Sequence, residues 1–406
     1  MFATEYATTY WIWNEFPSKE GKKSFELTPD GLHFHSFTCP KTVKYGFKRC
    51  HSWLHSASNS TFSSIKRQTT KQKEMLPLNV LVTGGAGYIG GTVAMLLQEA
   101  GHHVVIYDNL IHSQRSALPA GPFFVEGDVR DQAKLEATLQ GQKIEAVLHF
   151  AALIEAGESM QEPIVYFNNN TASTLGLFQA MQSAGVQKLV FSSTAAVYGE
   201  PETTPIQEDA DLCPTNPYGE SKLLVEQILP WLHRIHGLRY ASLRYFNVAG
   251  AMAGRGEAHE PESHLIPLIL DVALGRKKNI RIYGTDYPTP DGTCIRDYIH
   301  VRDLAEAHLM ALAALDQPHR PGRMIYNLGN GRGFSVCEVV ESARRVTGHA
   351  IPVEEVPRRP GDPAVLVASS EKIQRELGWK PRYTNLDEII ASAWEWHQQR
   401  YPLATP

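Results

Sequence analysis

A tyrosine and a lysine four residues apart, Tyr218 and Lys222, are the clearest candidates for chemistry in the sequence. The residues that follow predict an amphipathic helix with Leu224, Ile228 and Trp231 on one face, and residues i and i+4 of a helix lie one above the other. An ammonium group beside a phenol stabilises the phenolate and lowers the pKa of tyrosine from about 10. The spacing indicates a tyrosine that acts as a base near neutral pH. The alternative is an exposed tyrosine with a solvated lysine.

A glycine-rich stretch upstream, Val82-Thr-Gly84-Gly-Ala-Gly87-Tyr-Ile-Gly90, gives this pair a context. It follows a predicted strand and opens a predicted helix. Gly84 permits a tight turn, Gly87 lets the backbone approach a pyrophosphate, and Gly90 lets the helix pack closely on the sheet. The helix N-terminus adds free N–H groups and a partial positive charge. The stretch predicts a dinucleotide site, against the alternative of a simple strand-to-helix turn.

Two aspartates refine that prediction. Asp108 ends the next predicted strand, about 20 residues after the glycines, where a carboxylate reaches the adenosine ribose diol. Because its charge repels a 2'-phosphate, NAD is favoured over NADP. Asp128 is a candidate for the adenine edge, or a turn-forming aspartate. The oxidised nicotinamide ring is itself a cation and would strengthen the effect of Lys222 on Tyr218.

The elements that must position these residues alternate between strands and helices. Predicted strands span residues 79–83, 104–107, 146–150, 188–193 and 241–246, and a helix that ends near Gly101 lies between the first two. This pattern predicts an α/β protein with a Rossmann-type doubly wound parallel sheet. Beyond residue 250 the connections are rich in Pro and Gly, which indicates a smaller, mixed α/β substrate-binding lobe. Patterns at residues 326–328 and 336–346 indicate segments that return to the first domain.

The predicted organisation has three parts. Residues 1 to 74 show no sustained helical or strand period. They are predicted to be a disordered extension or translated sequence ahead of a natural start at Met75, with an organelle-targeting segment and an interaction segment as alternatives. Residues 75–250 form the predicted NAD-binding domain. Residues 251–406 form mainly the substrate lobe.

Composition narrows the function class. Apolar residues make up 43% and charged residues 20% of the chain, and the net charge is −4. These values are typical of soluble domains and speak against membrane and nucleic-acid partners. The five cysteines show no CxxC pair and no metal-ligand spacing, so we predict reduced thiols, no metal site and a cytoplasmic location.

Many collinear motifs carry a resemblance to a known family. From residue 78 to about residue 397 the chain resembles the extended short-chain dehydrogenase/reductase superfamily, and within it the UDP-glucose 4-epimerases. The matching stretches are residues 83–90, 107–110, 124–128, 149–152, 157–159, 168–170, 191–199, 217–222, 243–247, 264–267, 283–288, 291–301, 326–329 and 358–362.

The resemblance implies a bound NAD and a UDP-sugar substrate whose C4 hydroxyl is inverted. Tyr218 would remove the C4 hydroxyl proton while hydride passes to the nicotinamide, and hydride would return to the other face of the 4-keto sugar. Lys222 would also hold the nicotinamide ribose, and Thr194 would bond to the reacting oxygen. A homodimer is implied, with residues 166–184 as a candidate interface helix.

The resemblance also assigns the remaining site residues. The implied cofactor residues are Gly84, Gly87, Tyr88, Ile89, Gly90, Asp108, Asn109, Asp128, Val129, Phe150, Ala151, Asn169, Thr194, Tyr218, Lys222 and Phe246. The implied substrate residues are Asn247, His264, Leu265, Arg296, Arg359 and Asp362.

Departures from the family keep alternatives open. Ile154 stands where some members carry a cofactor-contacting lysine, and Leu366 stands at the position that influences acceptance of N-acetylated sugars. Ala195 and Ala196 occupy the place of the acid and base that a dehydratase needs, which argues against dehydration. A UDP-pentose or UDP-N-acetylhexosamine 4-epimerase remains an alternative, and a non-catalytic NAD-binding protein is a weaker one because Tyr218 and Lys222 are both present.

Overall fold

The computed structural model describes residues 27–28, 31–32, 76–252, 254–259, 261–359 and 362–402. The chain divides into two compact units, Met1–Lys71 and Gln72–Pro406. In the first unit, the described strands β1 (Leu27–Thr28) and β2 (Gly31–Leu32) pair antiparallel. The prediction of a disordered extension over residues 1 to 74 otherwise falls outside the described residues.

A seven-stranded parallel sheet organises the second unit. Its strands run in the spatial order β12, β8, β7, β6, β3, β4, β5. Their bounds are β3 Asn79–Thr83, β4 His103–Asp108, β5 Phe123–Glu126, β6 Ala146–His149, β7 Lys188–Thr194, β8 Arg239–Tyr245 and β12 Arg323–Leu328. All five predicted strands are present, with ends shifted by at most two residues. The predicted doubly wound α/β sheet is confirmed.

The strand order leaves a crevice where the direction of sheet building reverses. The chain builds outward from β3 to β5 and then crosses back to β6 on the other side of β3. At such a switch point the two connections diverge and leave a crevice outside the carboxyl ends of the strands. The glycine-rich turn follows β3 and the residues from Phe150 follow β6, so both border this crevice.

Helices cover both faces of the sheet. Their bounds are α1 Tyr88–Glu99, α2 Gln132–Gly141, α3 Ala156–Ser159, α4 Pro163–Tyr166, α5 Ser173–Ser183, α6 Pro217–His236, α7 Leu265–Ala273, α8 Val301–Leu315, α9 Val336–Thr347, α10 Glu371–Leu377 and α11 Leu386–Arg400. A π-helical turn, Phe167–Ala172, joins α4 to α5. Side chains of α1 and α8 form the apolar core on one face, and those of α2, α5 and α6 form it on the other. In the described residues no helix is both long and apolar enough to cross a bilayer.

Smaller sheets lie in the second half of the chain. Strand β10 (Ile280–Tyr283) pairs parallel with β14 (Val353–Val356). Strand β11 (Ile295–His300) pairs antiparallel with β13 (Gly333–Ser335) and parallel with β15 (Val365–Leu366) and β9 (Asn247–Ala249). A separate apolar core joins α7, α9 and α11. This lobe is mixed α/β, as predicted.

Helix α6 differs from the sequence prediction in the face that it buries. The buried residues include Ser221, Lys222, Val225, Glu226 and Leu229. The side chain of Trp231, predicted on the apolar face with Leu224 and Ile228, is 57% exposed. Lys222 and Glu226 are buried together with apolar residues because both find partners at the sheet. Trp231 and Ile235 remain exposed and form an apolar stripe of α6 outside the core of this chain.

Candidate active site

The glycine turn is shaped for close backbone approach. Gly84 adopts φ +70°, and its N–H donates to the carbonyl of Tyr107 at 2.9 Å. A Cβ atom at Gly84 would lie 2.6 Å from the amide nitrogen of Ala151, and one at Gly90 would overlap the Gly84 carbonyl. Any side chain at either position would push the turn away from the sheet. The turn leads to Gly87, the N-cap residue of α1, so the helix N-terminus borders the crevice.

Asp108 connects this turn to the loop that follows β4. Its Oδ2 atom accepts the Ala86 N–H at 3.0 Å, and its Oδ1 atom accepts the Leu110 N–H at 2.8 Å and the Ser113 hydroxyl at 3.2 Å. The carboxylate thus holds two segments of the predicted cofactor site in one geometry. It lies at the carboxyl end of β4 and lines the crevice.

Asp128 is also held in place by its neighbours. Arg130 donates to it from Nε at 2.8 Å and from Nη2 at 2.7 Å, and Asn109 donates from Nδ2 at 2.9 Å. The Arg130 hydrogen bonds keep the pKa of Asp128 well below its usual value. The carboxylate stays ionised at neutral pH, and the backbone that follows it remains fixed at the edge of the crevice.

Tyr218 and Thr194 meet where α6 begins and β7 ends. Asn216 caps α6 by accepting the Gly219 N–H at 2.9 Å, and the absence of a side chain at Gly219 lets the helix approach the Ala196 carbonyl. Tyr218 and Thr194 line the same cavity, and the Thr194 hydroxyl lowers the pKa of the Tyr218 phenol. The two groups predicted to act on one oxygen therefore lie on the same wall of the crevice.

Lys222 lies one turn further along α6 and is almost fully buried. Its Nζ atom donates to the Ser192 carbonyl at 3.0 Å and lies 5.1 Å from the centre of the Phe191 ring. Burial lowers the pKa of this ammonium to about 7. An ammonium has three donors, so Nζ can donate further hydrogen bonds to a ligand in the crevice.

The electrostatics of Tyr218 differ from the sequence hypothesis. Burial raises the pKa of its phenol, the nearby Thr194 hydroxyl lowers it, and Glu155 raises it. Lys222 is not among these influences, and its own charge is weakened by burial. The predicted lowering of the Tyr218 pKa by Lys222, strengthened by the nicotinamide cation, is therefore not seen in the protein alone.

The other end of the crevice carries two arginines. Arg296 on β11 donates to the Pro363 carbonyl at 2.8 Å, and its Nη2 atom lies 3.4 Å from Oδ1 of Asp362. The Arg359 guanidinium lies 3.9 Å from the centre of the Tyr283 ring. A planar guanidinium can engage a phosphate through two parallel hydrogen bonds. This end is suited to a diphosphate.

His264 adds a third positive group. It is the N-cap residue of α7, and its Nδ1 atom lies 2.8 Å from Oε1 of Glu262. Burial would lower the pKa of His264, but Glu262, Glu257 and Glu155 raise it to about 9. The imidazole is therefore protonated at neutral pH.

All sequence-predicted site residues line one cavity of about 2170 Å³. The fold brings together Gly84, Gly87, Tyr88, Ile89, Gly90, Asp108, Asn109, Asp128, Val129, Phe150, Ala151, Asn169, Thr194, Tyr218, Lys222, Phe246, Asn247, His264, Leu265, Arg296, Arg359 and Asp362. Ile154 and Leu366, the two departures from the family, line the same cavity. In the described residues no group of three or more His, Cys, Asp or Glu side chains could hold a metal ion.

Sequence reasoning missed three residues that line the cavity. Glu155 accepts a hydrogen bond from Ser263 at 2.7 Å, the Tyr245 hydroxyl bonds to the Ser192 hydroxyl, and Arg255 contacts the glycine turn. Tyr245 lies in the matching stretch 243–247, near the end of a predicted strand, and this position was the signal that could have identified it. Glu155 and Arg255 lie in connections without regular spacing, and only the fold brings them to the site.

The fold and site define a Rossmann-type α/β protein in which a glycine-rich turn, a Tyr–Lys pair and two arginines line one cavity. The chain belongs to the NAD dependent epimerase/dehydratase family, whose model matches residues 80–329. It is 55% identical to a UDP-glucose 4-epimerase of Streptomyces lividans over 320 residues, which is 78% of this chain and 95% of that protein.

Solved structures give the same result. A UDP-glucose 4-epimerase from Stenotrophomonas maltophila, with bound NAD and formylated UDP-arabinopyranose, is 45% identical with a TM-score of 0.76 and covers 80% of this chain and 98% of its own. One from Bifidobacterium longum, in complex with NAD+ and UDP, is 41% identical with a TM-score of 0.75 and covers 80% of this chain and 100% of its own. These matches confirm the predicted family, the epimerase class and the NAD dependence.

Proposed function

We propose that the protein interconverts UDP-galactose and UDP-glucose by inverting the configuration at C4. The observation that carries the proposal is that Tyr218 and Thr194 line one cavity together with the glycine turn and with Arg296 and Arg359 of the second lobe. The relatives named above are UDP-glucose 4-epimerases along nearly their whole length.

The chain's own residues fit NAD. Gly84 and Gly90 let the turn pack tightly on the sheet because neither carries a side chain, and the buried Nζ of Lys222 has donors to spare for a ribose diol. Asp108 lies where a carboxylate would meet the adenosine ribose. When bound, NAD accepts hydride from C4 and returns it. We assign residues 75–250 mainly to the cofactor and residues 251–406 mainly to the UDP-sugar.

Tyr218 and Thr194 act on the C4 oxygen. Tyr218 takes the hydroxyl proton and later returns one, while the Thr194 hydroxyl holds the same oxygen in line. Because Tyr218 lies in the first turn of a capped helix and Thr194 ends a central strand, neither group needs to move far. General acid–base help of this kind accelerates a reaction by about 10² to 10⁴.

The second lobe holds the UDP moiety. Arg296, Arg359 and protonated His264 provide positive charge, and Asn247 and Leu265 border the same pocket. Anchoring through the diphosphate leaves the sugar free to present either face. Leu366 lies at the wall, in register with Arg296, where its size limits the substituents that fit.

We also propose a homodimer through α4–α5 and α6. Exposed apolar side chains follow these helices, with Ile164 69%, Trp231 57% and Ile235 64% exposed. A patch of this kind is typical of an interface between helices.

The free thiols Cys213, Cys294 and Cys337 support the cytoplasmic location.

Direct assay separates the candidates. Purified protein is incubated without added NAD with UDP-galactose, UDP-xylose or UDP-N-acetylglucosamine, and the sugar nucleotides are separated by chromatography. We expect UDP-glucose from UDP-galactose, and no product with Tyr218→Phe. Turnover of UDP-xylose alone would indicate a pentose epimerase. No turnover of any sugar with added NAD would contradict the proposed function.

A further inference from the structure

Arg255 is a cation from the second lobe that reaches the cofactor turn. Its Nη2 atom donates to the Gly87 carbonyl at 3.1 Å, and its Nη1 atom donates to the Ala117 carbonyl. Gly87 is the N-cap of α1, whereas Ala117 belongs to the loop between β4 and β5 that lines the cavity. One guanidinium thus connects three segments that are distant in sequence.

The connection that carries Arg255 is anchored on its own side. Met252 and Arg255 exchange two backbone hydrogen bonds of 2.8 and 2.9 Å across a turn in which Gly254 has φ +74°. The Trp396 indole N–H donates to the Gly254 carbonyl at 3.1 Å. Since Trp396 lies on α11, the guanidinium is held from the second lobe.

The charge of Arg255 is poorly balanced by the described residues. Both of its described hydrogen-bond acceptors are neutral carbonyls, and its Nε atom is buried without a partner. Burial lowers the pKa of the guanidinium, and no described carboxylate offsets that effect. A cation beside the N-terminus of a helix also faces the positive end of the helix dipole. An anion on the same turn would relieve both costs.

A neighbouring glycine is matched to this side chain. A Cβ atom at Gly91, in the first turn of α1, would overlap Nη2 of Arg255. Gly90 faces the sheet, where a Cβ atom would overlap the Gly84 carbonyl. A side chain at Gly91 would therefore displace the guanidinium, which ends a flexible side chain, rather than the sheet.

We propose that Arg255 is a retention clamp for NAD, which supplies from the second lobe the positive charge that holds the cofactor diphosphate on the glycine turn. It closes the turn against the loop at Ala117, so the cofactor leaves only when this contact opens. This proposal rests on the proposed function in one respect, which is that NAD is the bound cofactor. It does not depend on which sugar is turned over.

Retention of NAD tests the clamp without relying on activity. Full-length wild type, Arg255→Gln, Arg255→Lys and Gly91→Ala are dialysed, and the NAD left per chain is measured over time after denaturation. Loss of a charged hydrogen-bonding group predicts NAD release about 10- to 100-fold faster in Arg255→Gln. Arg255→Lys, which keeps the charge but not the planar guanidinium, should fall between the two, and Gly91→Ala, which displaces the guanidinium, should release NAD faster than wild type.

Arg239→Gln is the matched control. Arg239 also donates to backbone carbonyls, those of Leu315, Gln317 and Arg320, but it lies at the opposite end of the sheet. We expect wild-type retention from this variant, and thermal unfolding in saturating NAD checks that every variant folds. Unchanged release from Arg255→Gln, or equal loss from Arg239→Gln, would overturn the clamp. Absence of UDP-galactose turnover in NAD-saturated wild type would instead count against the proposed function alone.

Discussion

The Nζ atom of Lys222 lies 3.0 Å from the carbonyl oxygen of Ser192, two residues before Thr194 on the same strand. This hydrogen bond ties α6, which carries Tyr218, to the end of β7, which carries Thr194. Under the proposed function, Lys222 therefore positions Tyr218 and Thr194 in addition to any contact it makes with the cofactor.

Removal of the Tyr218 hydroxyl should stop turnover while the fold and cofactor remain. We expect Tyr218→Phe to lower kcat by about 10² to 10⁴, the usual worth of general acid–base catalysis. NAD content and the unfolding temperature should stay at wild-type values because the ring is kept. Steady-state kinetics and NAD content measure these effects. Activity above one tenth of wild type would contradict the assignment.

The ion pair of His264 and Glu262 predicts a pH-dependent stability. The folded pKa of His264 is about 9, above its ordinary value of 6.5. The stabilisation is therefore complete below about pH 6.5 and is lost as pH rises through about 9. We expect His264→Gln to unfold at a lower temperature than wild type at pH 6, with the difference shrinking by pH 10. Scanning calorimetry across this range measures it, and a constant difference would contradict the raised pKa.

A buried ion pair between Glu226 and Arg244 holds the middle of α6 to the sheet. Arg244 donates to both oxygens of Glu226, and the two side chains are 3% and 4% exposed. Glu226 keeps the pKa of Arg244 above its usual value although burial lowers it. Breaking such a pair leaves a buried charge unpaired, so Arg244→Met should cost about 3 to 5 kcal/mol of unfolding free energy.

The matched comparison is the double variant Arg244→Met with Glu226→Gln, which removes both charges. We expect it to recover part of the lost stability in urea denaturation, because no lone buried charge remains. Destabilisation by the double variant equal to the sum of the two single ones would show that the charges do not interact.

The exposed apolar stripe of α6 predicts the dimer interface. Trp231→Glu and Ile235→Glu place charges where apolar side chains would pack, so we expect a shift from dimer to monomer in sedimentation experiments. Ile111→Glu is the control, because Ile111 is 62% exposed but lies in the loop after β4. A dimer that persists in both α6 variants would move the interface elsewhere.

Much of the fold and part of the candidate site could be predicted from local sequence patterns. Alternating strand and helix patterns defined the sheet because parallel strands are buried on both faces, and local spacing located the glycine turn and the Tyr218–Lys222 pair. Only the tertiary structure shows which charges surround the site and which distant segments of the chain border it. The pKa of Tyr218 depends on burial and on Glu155, and the buried face of α6 depends on partners supplied by β7 and β8. Arg255 reaches Gly87 across 168 residues of sequence. Contacts of this kind have no local period, because they depend on where the chain returns after folding.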